Sequence, residues 1–112
     1  INIYQAFPQP KFTVLLDKII VNLTRVRANT NPMAALEIYL DADSQETAIE
    51  LKDRRFHILD VSQRAVEGFT YNEMVSSHGK SKVKSTIRHQ INQILNQGRV
   101  ERVYIKTWVV KP

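Results

Sequence analysis

Cysteine is absent from this chain. That removes disulfide frameworks, cysteine-containing zinc sites and thiol nucleophiles together, and it assigns no compartment. Long apolar runs are also absent: nothing approaches the ~18 residues of a membrane span, and no signal peptide is present. Glycine is scarce, with 3 in 112 residues. Ser76-Ser77-His78-Gly79-Lys80-Ser81 ends like a phosphate-binding loop, but Met74 stands where that loop needs its first glycine. The ordinary reading there is a helix start. The chain begins at Ile1 without a methionine, which reads as a processed product or an excised piece with something ahead of it.

What is present is one domain's worth of globular sequence. The set AVILMFWYC makes up 43% and charged residues 24%, which excludes disordered and fibrous classes. The net charge is +5 and the pI about 9.7, so acidic partners are favoured: nucleic acid, lipid heads or an acidic protein.

Phe7-Pro8-Gln9-Pro10 forbids a helix and makes residues 1–11 a lead-in or tether; residues 12–112 form the single domain. Phe12 to Leu23 reads as strands with a turn or bulge at Asp17-Lys18. Arg25 to Pro32 is turn chemistry. Met33 to Asp41 alternates, with Ala34, Leu36, Ile38 and Leu40 on one face. Asp43-Ser44-Gln45-Glu46 reads as a capping box opening a long helix to about Glu67, ended by Gly68. Ile49 and Phe56 widen its apolar arc. Thr70-Tyr71-Asn72-Glu73 repeats the capping pattern before a short helix. Val83, Ile87, Ile91, Ile94 and Leu95 predict a helix over about 80–97, with Gly98 as its C-terminal cap. Val100 to Val110 reads as a strand with Val103, Ile105, Thr107 and Val109 on one face, apolar on both faces and so central or covered twice. The fold class is therefore α+β: two layers, with helices packed on a small mixed β-sheet.

No catalytic constellation emerges. Carboxylates are scattered, and no Ser-His-Asp set carries a local motif. His57 and Asp60 lie three apart on one helix, too small a cluster for a metal centre. Asn22-Leu23-Thr24 matches a glycosylation sequon of the kind expected by chance. Lys80, Lys84 and Arg88 share a helix face, while Lys82 does not, and aromatics are missing among them. A small basic nucleic-acid-binding module is thus a second-rank alternative.

In order along the chain, several segments resemble the extracytoplasmic domain of the FliL family of flagellar basal-body-associated proteins. Val21-Asn22-Leu23 is similar to the family's early "VNL" strand, and Leu36-Glu37-Ile38-Tyr39-Leu40 to its second strand. Leu51, Arg54, Arg55, Ile58 and Asp60 fall on its first-helix pattern, with Phe56 where proline is usual. Thr70 and Gly79-Lys80 resemble the segment opening the second helix. Val103-Tyr104-Ile105-x-x-Trp108-Val109-Val110 is similar to the closing strand. The resemblance spans about Phe12 to Val110.

The resemblance implies a stomatin-like (SPFH) domain on the periplasmic side of the inner membrane, with a single-pass anchor upstream of Ile1. It implies a homo-oligomeric ring beside or around flagellar stator proteins of the MotA/MotB type, and contact with a basal-body ring. It implies support of torque in motility and chemotaxis, with no catalysis, no cofactor, no metal and no nucleic acid. Phe7 and Phe12 in the lead-in, Arg54 and Arg55 on the first helix, and Tyr71 between helices are the candidate partner or oligomer contacts. Another membrane-anchored SPFH-like scaffold is the nearest alternative.

Overall fold

A computed structural model describes residues 12–112. The order is β1 (Phe12–Asn22), β2 (Met33–Ala42), α1 (Gln45–Asp53), α2 (Arg55–Glu67), α3 (Tyr71–Val75), α4 (Gly79–Ile94) and β3 (Val100–Lys111). The α+β class holds. The sheet runs β1-β2-β3 and is antiparallel throughout, not mixed. The crossover needed for a parallel pair is missing: β1 joins β2 by a loop, and the helices carry the chain from β2 to the antiparallel β3.

Apolar alternation sets the layers. Val14, Leu16, Ile19 and Val21 of β1 and Leu36, Ile38 and Leu40 of β2 face the core. Ile58 and Val66 of α2 and Val83, Ile87 and Ile91 of α4 meet them there. These positions recur at four-residue steps or a multiple of them, as burial of one helix face requires.

Irregularities in the sheet redirect side chains: two lie beside Ile38, and a third between Asp41 and Ala42 leaves Glu101 extra on β3. Leu15 pairs with Tyr39 and Asp17 with Ile38, which leaves Leu16 as an extra residue on β1. Ile105 pairs with Ile38 and Thr107 with Glu37, which leaves Lys106 extra on β3. Both bulges therefore sit beside Ile38, and each reverses the in-out order downstream of it. Val103 and Ile105 point to the core, but past Lys106 it is Trp108 and Val110 that pack there. The expected face of Val103, Ile105, Thr107 and Val109 is thus split. β3 is also an edge strand, and β2 is the central one.

The expected long helix is broken at Arg54, whose φ of −104° and ψ of 28° leave the helical region. Thr70 and Glu73 form the full reciprocal capping box at α3. At α1 the cap is Ser44, which accepts from Thr47 N at 3.2 Å. Asp43 binds elsewhere. Its carboxylate accepts from Thr47 Oγ1 at 2.8 Å and from Arg99 N at 3.3 Å.

The α4–β3 connection is held by carboxylates. Glu50, 8% exposed, accepts from Asn96 N at 2.9 Å and Gln97 N at 2.8 Å. Arg54 donates to Glu50 Oε2 at 2.8 Å and to Ile94 O at 2.6 Å. α4 therefore ends at Ile94, and Leu95 is already extended. Gly98 is not a left-handed cap, since no glycine has positive φ among the described residues. It is required by contact: a Cβ there would collide with Thr47 Oγ1 and lie 2.6 Å from Asp43 Oδ1. Gly98→Ala is expected to cost about 1–3 kcal/mol, read by chemical denaturation.

Burial alone pushes the Glu50 carboxyl up. The N–H groups of Gln97 and Asn96 and the Arg54 guanidinium more than reverse this, and the group ends below its usual value of 4.5. The Thr47 hydroxyl, and then Arg99 N against a desolvation penalty, hold Asp43 below 3.8. Depressed carboxylates stabilise the fold above their unfolded values and lose that contribution as pH falls through the folded ones. The melting temperature should be flat above about pH 5 and fall progressively below about 4.5. Glu50→Gln should cost about 1–3 kcal/mol at neutral pH and flatten that acid slope.

Candidate functional site

Among the described residues the helices all pack on one face of the sheet and leave the other open. Cross-strand pairing arranges that face in rows. Ile20, Ala35 and Val109 form one; Leu15, Tyr39 and Tyr104 form another; Lys18, Glu37 and Thr107 lie between them. Ile20 is 63% exposed, and Leu15, Met33, Tyr104 and Val109 are also exposed. Ile20, Met33 and Val109 wall a shallow groove of about 320 Å³, flanked by Lys18 and Lys111. Alternation predicts that such a face exists. Linear order hides its apolar content, because the bulges at Leu16 and Lys106 reassign residues between faces.

The sequence-derived candidates fall in separate places. Phe7 lies outside the described residues. Phe12 opens β1 opposite Ala42 and is exposed. Arg54 is engaged inside the domain, with Glu50, Ile94 O and His57 Nδ1, the last at 3.0 Å. Arg55 pairs with Asp17 of β1 at 2.8 Å. That pair fastens α2 to the β1 bulge, and both side chains are about half-exposed. The Lys18 backbone N–H and, less strongly, Arg55 lower the Asp17 pKa. Tyr71 lines a cleft of about 320 Å³ with Val26, Arg27, Pro32 and Pro112. Tyr71 and Phe12 thus sit at opposite ends of the sheet, roughly 30 Å apart by strand rise.

Phe56 is 87% exposed at the start of α2. The single widened arc expected from Ile49 and Phe56 does not form: the break at Arg54 puts them on α1 and α2 separately, and both are exposed. The basic helix face also gains an aromatic neighbour that linear order conceals: Lys80 Nζ lies 5.6 Å from the centroid of Trp108. Among the described residues no group of His, Asp and Glu could hold a metal ion. No helix among them is long and apolar enough to cross a membrane.

The order of elements and the open-faced sheet coincide with a family match. The profile of "Flagellar basal body-associated protein FliL" matches residues 12–110. The chain belongs to the FliL family. It is 26% identical over 98 residues to the "Flagellar protein FliL" of Bacillus subtilis (strain 168), covering 83% of this chain and 70% of that protein. This FliL-family chain is accordingly a flagellar basal-body-associated protein of a motility apparatus.

The two faces of β1 should respond differently to substitution. Ile19→Ala, on the core side, should cost about 2–5 kcal/mol. Ile20→Thr, next along the strand but on the open side, should stay within about 0.5 kcal/mol of the parent. Urea unfolding of both variants reads the contrast.

Proposed function

We propose that this domain is a non-enzymatic scaffold of the flagellar motor. It works on the periplasmic side of the inner membrane, behind an anchor ahead of Ile1, with residues 1–11 as tether. Copies associate side by side into a stomatin-like ring next to stator units of the MotA/MotB type, and the ring supports torque. Membership of a basal-body family supports the setting. The observation that carries the scaffold reading is the open sheet face, with Ile20, Met33 and Val109 exposed together on it. Grouped apolar surface of this kind marks interaction sites.

A ring needs heterologous contact between two different surfaces of each protomer. The open sheet face supplies one, and the exposed Phe56 on the helical side offers the other. Tethering to a membrane raises effective concentration, so weak contacts suffice. Such a ring changes stator activity only by binding the ion-conducting arrangement more tightly than the closed one. Phe12, Arg55 and Tyr71 remain proposed contacts. Arg54 acts first through the Glu50 clasp.

The full-length protein, extracted in native lipid discs, is expected to run as an assembly larger than a dimer and to co-purify with stator subunits. Ile20→Lys combined with Val109→Lys should shrink that assembly while leaving the melting temperature of the domain unchanged. A parent protein that is monomeric throughout would overturn the ring.

A further inference from the structure

α4 lies along the outer edge of β3. Lys80 sits over Trp108. Further along, Arg88 Nη1 reaches Glu101 O at 3.4 Å. Asn92 then brackets Val100, donating to its carbonyl at 3.1 Å and accepting from its N–H at 2.7 Å. Helix numbers rise as strand numbers fall, so α4 runs antiparallel to β3. A cleft of about 300 Å³ lies between them, walled by Ser81, Lys84, Ser85 and Arg88 of the helix and by residues 101–104 of the strand. Among the described residues, β3 has β2 on one side and no strand on the other.

Lys80, Lys84 and Arg88 recur every fourth residue, which spaces them by about 6 Å along the helix. Every second residue of an extended chain is spaced by about 6.6–6.8 Å. The two repeats agree closely enough for flexible Lys and Arg stems to absorb the difference. Neither lysine nor Arg88 is ion-paired with a carboxylate among the described residues. We propose that this cleft binds an extended acidic polypeptide laid between α4 and β3, with Asp or Glu at alternate positions facing Lys84 and Arg88 in the cleft and Lys80 just beyond it at Trp108.

Asn92 already takes both backbone groups of Val100 and Arg88 the Glu101 carbonyl, so affinity comes from the charge ladder rather than from added strand pairing. A ladder about 12 Å long exceeds what one phosphate or lipid head would span. Glu101 also stands in the lining and opposes any anion, but Lys84, Arg88 and Arg102 outnumber it there. The Trp108 ring already carries Lys80, so it is no bare stacking platform. A second copy of this chain does not supply the pattern: the other edge strand, β1, carries Asp17 alone among its residues as a carboxylate, and Arg55 holds it. This inference goes beyond the ring and stands whether or not the protein forms one.

The test is a titration of the 15N-labelled 112-residue chain with a synthetic peptide of alternating Glu and Thr. The control is a peptide of the same composition with all its Glu residues in one block. A thymidine oligonucleotide and phosphatidylglycerol vesicles form the other arms. The alternating peptide is expected to bind about tenfold more tightly than the blocked one, to weaken with salt, and to shift amides of residues 81–88 and 101–104. Lys84→Glu with Arg88→Glu, both at the surface, should abolish those shifts while the core amides keep their positions. Equal binding of the two peptides, shifts elsewhere, or no shifts at millimolar peptide would overturn the proposal. So would tighter binding of the oligonucleotide or the vesicles at the same residues.

Discussion

The Glu50 carboxylate is the constraint on which the remaining architecture hangs. Its oxygens take the N–H groups of Asn96 and Gln97 and one arm of Arg54, and Arg54 in turn holds Ile94 O. These bonds fix where α4 stops and in which direction the chain leaves it. That exit delivers Val100 beside Ala42, where the β2–β3 pairing starts. Charged acceptors make such bonds roughly twice as strong as neutral ones. Asp43 repeats the device two residues further along the same connection, at Arg99.

The α1–α2 break follows from the same group. Arg54 lies where α1 gives way to α2, and its side chain spans from Glu50 to Ile94. A straight helix would carry that guanidinium along its own surface; the observed one ties a loop from a different part of the chain. α2 then lies across β1 and is fastened at its start by Arg55 to Asp17. The core beneath is aliphatic, and fully buried Leu36, Ile38, Ile58 and Ile87 form its centre.

Much of this is legible in the residues, for reasons that are local. The Thr70–Glu73 box depends on four adjacent residues and is intact in the fold. The alternation of β2 needs no partner to be recognised, and its buried face is the one that alternation marks. At α1 the cap moves one residue to Ser44 and no reciprocal box forms, because Thr47 and distant Arg99 occupy the Asp43 carboxylate. The β3 faces escape the sequence for a similar reason: one extra residue, Lys106, reverses the order, and only pairing with β2 reveals it. Gly98 has the spacing of a helix cap, whereas its reason is the proximity of Thr47 and Asp43. Of the candidate contacts, Arg54 illustrates the limit. A charged residue on a helix pattern reads as surface until the fold brings Ile94 to it.

The paired bulges beside Ile38 carry a further consequence, one of solubility. Each outer strand of this sheet is interrupted about midway, at Leu16 on β1 and at Lys106 on β3. A flat, unbroken outer strand is a template for indefinite growth, strand upon strand, and that route ends in fibrils. Here no long regular run is offered on either side, and a lysine stands at one of the interruptions. Such interruptions work against open-ended, strand-upon-strand growth between copies and leave closed assemblies possible.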